Sequence, residues 1–320
     1  MAELNLSLIR ATEAAAIEAS KLTGSGRKEE IDKVASLAIA HRLNQMDFAA
    51  RIVMSEGEKD NSYYLRENTL LGKLAHNIPS SYGSAAENHL KKQKEYSICL
   101  DACDGTTMTA NGGPEAISIL AMADENSFYT TSSHYLKKLV YGPKLVNQLN
   151  GHYLTLKNGF GRMLEDLHGY THKPYNEFTI CILDRDRHKY EIELCRQLNM
   201  RIKLIPHCDI GAAIATCGDS GIDVQYGIGG ASETILSAAA IKCLDGVIEA
   251  QEVGKDWQNK GEVMGLNDLV KSDCVVALTG ITDGALLKGV KRLNNKYVTH
   301  SLFLRSKSKT WREILTHHGN

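Results

Sequence analysis

The sequence predicts an α/β fold with helical and sheet layers, on three observations. Helical periodicity fills the first 46 residues, and strands alternate with helices from about residue 176. Acidic residues also recur where apolar strands run into glycine-containing turns. At 320 residues the chain is long enough for one large domain or two small ones.

Residues 5–22 carry Leu8, Ile9, Thr12, Ala15, Ala16 and Ala19 at helical spacing, and residues 29–46 carry Ile31, Val34, Leu37, Ala38 and Leu43 likewise. Gly24-Ser25-Gly26 breaks the two helices apart. A short strand, 51–54, runs into Ser55-Glu56-Gly57-Glu58. Residues 59–95 are polar and mixed and read as a long loop with one or two short helices; the part from 65 to 95 carries no catalytic group. Order returns with a strand at 96–100 that ends at Asp101, followed by an apolar strand at 116–123. Then come strand 178–183, helix 187–198, strand 202–205, helix 209–216, strand 223–226, helix 232–244 and strand 274–278, which together imply a largely parallel sheet. There is no internal repeat, low-complexity tract or clear linker.

Composition narrows the function. The chain has 37 basic and 38 acidic side chains with no long run of either sign, which argues against a nucleic-acid partner. No apolar stretch approaches the roughly 20 residues of a membrane span, and the N-terminus lacks the pattern of a secretory signal. Eight cysteines form no Cys-x-x-Cys pair, and several lie in apolar runs such as Ile180-Cys181-Ile182. Such cysteines behave as small buried hydrophobes in a reducing compartment, so a cytoplasmic protein is expected.

The acidic turns carry the chemistry. Glu56 and Glu58 follow one strand, Asp101 and Asp104 a second, and Glu233 lies in a helix's first turn after Gly229-Gly230. Hard cations such as Mg²⁺ or Mn²⁺ take several oxygen ligands and no soft ones. Asp-x-x-Asp-Gly-Thr can turn two carboxylates toward one point and leave the Gly-Thr N–H groups for a phosphate oxygen. Any one such segment is more often an ordinary turn, and Glu233 alone could be a helix-start acid.

In order along the chain, these segments resemble the class II fructose-1,6-bisphosphatases, a branch of the lithium-sensitive metal-dependent phosphatases. Gly24-Ser25-Gly26-Arg27-Lys28 with Asp32 resembles the first metal segment, Ser55-Glu56-Gly57-Glu58 the Gly-Glu-Gly-Glu turn, and Asp101-Ala102-Cys103-Asp104-Gly105-Thr106 the Asp-Pro-Ile-Asp/Glu-Gly-Thr turn. Tyr135 to Pro143 resembles a substrate loop, Arg185-Asp186-Arg187-His188 the Lys-Pro-Arg-His segment, and Ile205-Pro206-His207-Cys208-Asp209 the Ile-Pro-Asp-Gly-Asp segment. Tyr226 to Glu233, Leu244-Asp245-Gly246, Thr279 to Thr282 and Arg305 to Ser308 complete the series.

The resemblance implies a sugar-phosphatase fold of alternating layers, with halves at 1–170 and 171–320 and the site between them. It implies metal ligands at Asp32, Glu56, Asp101, Asp104 and Glu233, which should converge, and a catalytic Thr106 acting with an acidic neighbour. Substrate contacts carry over to Asp104, Gly105, Thr106, Tyr135, Arg185, Asp186, Arg187, His207, Cys208, Asp209 and Gly230. The expected reaction removes the 1-phosphate of fructose 1,6-bisphosphate, as in gluconeogenesis, with sedoheptulose 1,7-bisphosphate as a second substrate. A small-molecule partner and a homo-oligomer are expected, with no nucleic acid or membrane. The departures are Ala102-Cys103 for Pro-Ile, Ser55 for Gly, Arg185 for Lys and His207-Cys208 for Asp-Gly. They leave open a phosphatase acting on another small ester such as an inositol phosphate, or a silent sugar-phosphate-binding regulator.

Overall fold

The computed structural model describes residues 2–55, 65–76, 95–294 and 296–319, with side chains from residue 7. The strands in chain order are β1 (Ala49–Ser55), β2 (Leu70–Leu71), β3 (Glu95–Asp104), β4 (Ile117–Asp124), β5 (Tyr135–Tyr141), β6 (Thr179–Leu183) and β7 (Arg201–Ile205). They continue as β8 (Val224–Gly230), β9 (Val247–Val253), β10 (Asn259–Gly265), β11 (Cys274–Gly280), β12 (Lys291–Leu293), β13 (Lys296–Arg305) and β14 (Thr310–His318).

Two compact units result. The first comprises Met1–Thr130 and Ser272–Asn320, the second Thr131–Lys271. This division differs from the halves expected at residue 170. The C-terminal strands return to pair with the N-terminal sheet, so Leu278 of β11 lies opposite Ile119 of β4. A boundary read along the chain misses pairing at that separation.

In the first unit the sheet runs β12-β13-β11-β4-β3-β1-β2, with β14 on β13. Helices Ala2–Ser20 and Lys28–Leu43 bury Leu8, Ala11, Ala15, Ile31, Ala35 and Ile39 against one face, joining Ile52, Ile98 and Leu120 in one core. Both helices lie within a few residues of where the periodicity placed them. The second unit has the order β10-β9-β5-β8-β6-β7. Helix Phe160–Thr171 packs Phe160, Met163 and Leu167 onto Leu139, Ile180 and Val224 there.

The largely parallel sheet is overturned. Among the described pairings only β1–β3, β6–β7 and β6–β8 are parallel. Strand–helix alternation predicts parallel pairing only where a helix carries the chain across, as Lys189–Gln197 does between β6 and β7. Elsewhere turns and long-range returns set the direction, and the sheets are mixed. Of the 59–95 segment, residues 65–76 form β2 and a short helix Lys73–His76. The loop expectation for 59–64 and 77–94 falls outside the described residues.

The cysteines sit where apolar runs placed them: all eight are free thiols, and only Cys217 is not fully buried. No helix among the described residues is long and apolar enough to cross a membrane.

Candidate active site

In the first unit β3 does not stop at Asp101. It continues to Asp104 through an irregularity, because Asp101 faces Ile119 and Asp104 faces Ile117, three steps on one strand against two on the other. The extra residue is a β-bulge, a device that re-aims side chains beside functional sites. It falls at Ala102-Cys103, where the Pro-Ile of the resembled turn is replaced. The bulge is held by the Cys103 N–H, which donates to Asp101 Oδ1 at 2.9 Å. Asp101 and Asp104 are 5 % and 4 % exposed. Burial pushes the Cys103 thiol well above its ordinary pKa, with nearby Asp101 and Asp32 adding to the rise, so this cysteine stays protonated.

Gly105 then takes φ 104°, a left-handed conformation suited to glycine, and starts the helix Thr106–Asn111. Thr106 is the first residue of that helix. Its hydroxyl donates to Asp32 Oδ1 and also lies 3.1 Å from the Cys103 carbonyl. Asp32 belongs to the helix Lys28–Leu43, 74 residues earlier. The loop between the first two helices brings them together, because Gly24 N–H donates to Thr109 O and Gly26 N–H to Ala110 O, each at 2.9 Å. The sequence break at Gly24-Ser25-Gly26 is therefore also the clasp that sets Asp32 beside Thr106.

Ser55, the last residue of β1, stands in parallel register with Leu100, so β1 ends beside the strand that carries Asp101. Glu56 and Glu58 lie outside the described residues. Among the described residues no three His, Cys, Asp or Glu side chains already form a metal cage. The donor chemistry nevertheless fits a hard divalent cation, since Asp32, Asp101 and Asp104 offer carboxylate oxygens only and Cys103 is a neutral thiol.

In the second unit β5 and β8 assemble another polar cluster. Tyr135 pairs with Gly230 and Leu136 with Gly229. Glu233, in the helix Ala231–Cys243, reaches back so that Gly230 N–H donates to its Oε2 at 2.6 Å. Asp209 opens the helix Asp209–Ala215 and is buried. Two adjacent glycines are needed because both carboxylates press on the strand. A Cβ at Gly229 would sit 2.3 Å from Asp209 Oδ2, and one at Gly230 2.8 Å from Glu233 Oε2.

Asp209 Oδ2 pairs with Lys138 Nζ at 2.8 Å, with side chains 2 % and 1 % exposed. Asp209 Oδ1 has no hydrogen-bond partner among the described residues. The sequence reading missed Lys138. The signal was the pair Lys137-Lys138 inside an apolar strand, since successive residues face opposite sides and one lysine had to turn inward.

Arg187 gives Nε and Nη2 to Ile228 O at 3.2 and 2.6 Å. Its Nη1 and the outer N–H of Nη2 form the remaining edge of the fork. Burial holds its pKa below the ordinary arginine value, and neighbouring Arg185 pushes the same way. Arg185 Nη1 donates to Asp184 O at 2.9 Å, and its Nη2 reaches the Pro206 carbonyl and stands 3.5 Å from His207 Nδ1. His207 therefore faces an arginine. Cys208 has φ 61° and precedes Asp209. The glycine of the resembled segment would hold that conformation without strain; a cysteine there costs on the order of 1 kcal/mol. Asp186 is exposed and pairs with Lys189 at 2.9 Å on the surface.

His188 is the structural pin of this cluster. It is wholly buried, donates from Nδ1 to Leu183 O at 2.9 Å and accepts from the Ile228 N–H at Nε2 at 2.8 Å. That fixes the neutral tautomer and the Ile228 peptide to which Arg187 bonds. Burial lowers its pKa to about 4, and Arg187, Arg185 and Lys137 add to the drop. The unfolded imidazole takes its proton near 6.5, so this contribution is complete above that pH and is lost as pH falls toward about 4. The expected loss is on the order of 3 kcal/mol. Urea titrations of wild type and His188→Gln at pH 4.5, 5.5 and 7 check it. The variant should show a much flatter dependence, and equal slopes would remove His188 as the cause.

Comparison with known proteins agrees with these motifs. A family model described as bacterial fructose-1,6-bisphosphatase, glpX-encoded, matches residues 2–318. A fructose-1,6-bisphosphatase 1 class 2 of Escherichia coli K12 is 33% identical, the match covering 99% of this chain and 95% of that protein. The class 2 fructose-1,6-bisphosphatases of Escherichia coli O6:H1 and Shigella flexneri match with the same identity and coverage. The chain belongs to the bacterial, glpX-encoded fructose-1,6-bisphosphatase family.

Proposed function

We propose that the chain hydrolyses the 1-phosphate of fructose 1,6-bisphosphate to give fructose 6-phosphate and phosphate, the step used in gluconeogenesis. The observation that carries this reading is the Thr106 hydroxyl donating to Asp32 beside the buried Asp101 and Asp104. A threonine hydroxyl is a poor base at neutral pH, and a carboxylate that takes its proton turns an oxygen lone pair outward. Thr106 then accepts a hydrogen bond from the attacking water and orients it toward phosphorus, with Asp32 as the final proton holder. Asp32, Glu56, Asp101, Asp104 and Glu233 would hold Mg²⁺ or Mn²⁺, which polarises the phosphate and takes up leaving-group charge when bound.

The other contacts follow from the second unit. The remaining edge of Arg187 matches two oxygens of the distal phosphate, and Arg185 adds charge beside it. Asp209 Oδ1, buried and without a hydrogen-bond partner among the described residues, suits a sugar hydroxyl. Tyr135 and close backbone approach at Gly105 and Gly230 complete the contacts. His207 and Cys208 stand where the resembled segment has Asp-Gly, while Asp186 is exposed. Sedoheptulose 1,7-bisphosphate differs by one hydroxymethylene and meets the same groups. The setting would be cytoplasmic and the assembly a homo-oligomer.

The test is phosphate release from fructose 1,6-bisphosphate, sedoheptulose 1,7-bisphosphate and inositol monophosphate with Mg²⁺, Mn²⁺ or EDTA. The expected result is turnover of the bisphosphates with either metal and its loss in EDTA. Faster release from the inositol ester would replace this reading with that of another small-ester phosphatase.

A further inference from the structure

The turn between β9 and β10 adopts a backbone that its sequence does not favour. Trp257 N–H donates to Gly254 O at 3.1 Å and Gly254 N–H to Gln258 O at 2.9 Å, so residues 254–258 close a tight hairpin. Trp257 sits in it at φ 65°. Glycine or asparagine ordinarily fills the left-handed position of such a turn, and a bulky side chain there is an outlier. The ring fills no core, being 36% exposed. It lies instead with its centroid 5.0 Å from the Arg187 guanidinium carbon. Tyr135 meets Trp257 edge-on at 5.2 Å and 70°, and lies 5.8 Å from the same guanidinium.

We infer that Trp257 is a specificity-determining residue that selects substrates carrying a second, distal phosphate. The inference rests on the sugar-bisphosphatase reading above. Ile228 O fixes one edge of the Arg187 fork, but a plane held along one edge can still tilt. The two rings cover the guanidinium and set its plane, so that the Nη1 edge presents two parallel N–H donors. Covering that face also strips water from it, which strengthens its hold on a phosphate dianion. Backbone strain kept at a surface turn is then explained by the ring it delivers.

Two variants separate this role from a structural one. Trp257→Gly relieves the left-handed backbone, so its melting temperature should stay level or rise. The ratio of kcat/KM for fructose 1,6-bisphosphate over fructose 1-phosphate should fall roughly 5- to 30-fold, the size of a desolvated cation–π contact. Trp257→Phe keeps a ring and should recover most of the ratio. In a Trp311→Phe background Trp257 is the one remaining tryptophan, and its emission should change as fructose 6-phosphate is added. An unchanged ratio in Trp257→Gly overturns the inference, as does a lowered melting temperature with equal loss on both substrates. If the wild type itself shows no preference for the bisphosphate, the sugar-bisphosphatase reading fails. In that case an emission change with inorganic phosphate still locates an anion at Arg187, and a flat response removes that as well.

Discussion

Thr106→Val should lower kcat by about two to four decades, the range for removing a positioned acid–base group, while KM changes little. Valine matches threonine in shape, and the helix Thr106–Asn111 is held from outside by the Gly24 and Gly26 N–H groups, so the backbone should stay in place. The hydroxyl's bonds to Asp32 and to the Cys103 carbonyl are lost, a stability cost of about 1–2 kcal/mol. Thr106→Ser keeps the oxygen and should stay within about tenfold of wild type by the same reasoning. Asp32→Asn offers a second view, because an amide oxygen can accept the hydroxyl's hydrogen bond but cannot keep its proton. That variant should lose at least as much turnover as Thr106→Val, because Asp32 is also proposed to hold the metal, and should differ from it in melting temperature. Steady-state kinetics with thermal melts measures all three. If Thr106→Val turns over within tenfold of wild type, the hydroxyl is off the reaction path and Asp32 needs another partner.

The sequence made Thr106 and its acidic neighbours visible because turn chemistry is local. A glycine at 105 and acids at 101 and 104 are read within six residues, and the structure uses the glycine's left-handed φ there. The bulge at Ala102-Cys103 was not readable, since it exists only against β4, and strand pairing is not written in one strand's pattern. The same limit explains the mixed sheets. Leu278 finds Ile119 and not a nearer strand because a long chain return closes the first unit, and loop closure grows only slowly with length. The strand β14 was missed because it offers no apolar run: its first four residues are exposed and the rest alternate between half-buried and exposed. Arg185 to His188 was found as a motif, yet the motif did not reveal its division of labour. His188 is a buried pin, Arg187 faces the cluster and Asp186 faces water. Trp257 reads from the sequence as a packing or partly exposed residue, because Arg187 and Tyr135, which it meets, lie far away along the chain.

Lys138→Met should destabilise the protein by about 3–5 kcal/mol, the largest stability effect expected from a single side chain here. Both members of the Lys138–Asp209 pair are almost wholly buried, and the Asp209 carboxylate loses the cation it is paired with when the ammonium is removed. Ser237, 3.4 Å from Nζ, has no charge to offer in its place. The Glu233 carboxylate also approaches Gly229, 3.4 Å from the built Cβ, so an uncompensated Asp209 would face a second acid nearby. The double variant Lys138→Met with Asp209→Leu removes both charges and fills the space with apolar atoms. It should recover most of the loss, because desolvating two ions offsets much of what their attraction returns. Activity should not follow stability, since Asp209→Leu also deletes the oxygen proposed to meet the sugar. The double variant should therefore fold well and bind fructose 1,6-bisphosphate poorly. Urea midpoints for the four members of the cycle give the coupling energy, and KM gives the binding effect. A loss below about 1 kcal/mol in Lys138→Met would mean the buried pair is not a charged one, since breaking a buried charge pair costs far more. Recovered stability together with an unchanged KM would take Asp209 off the sugar.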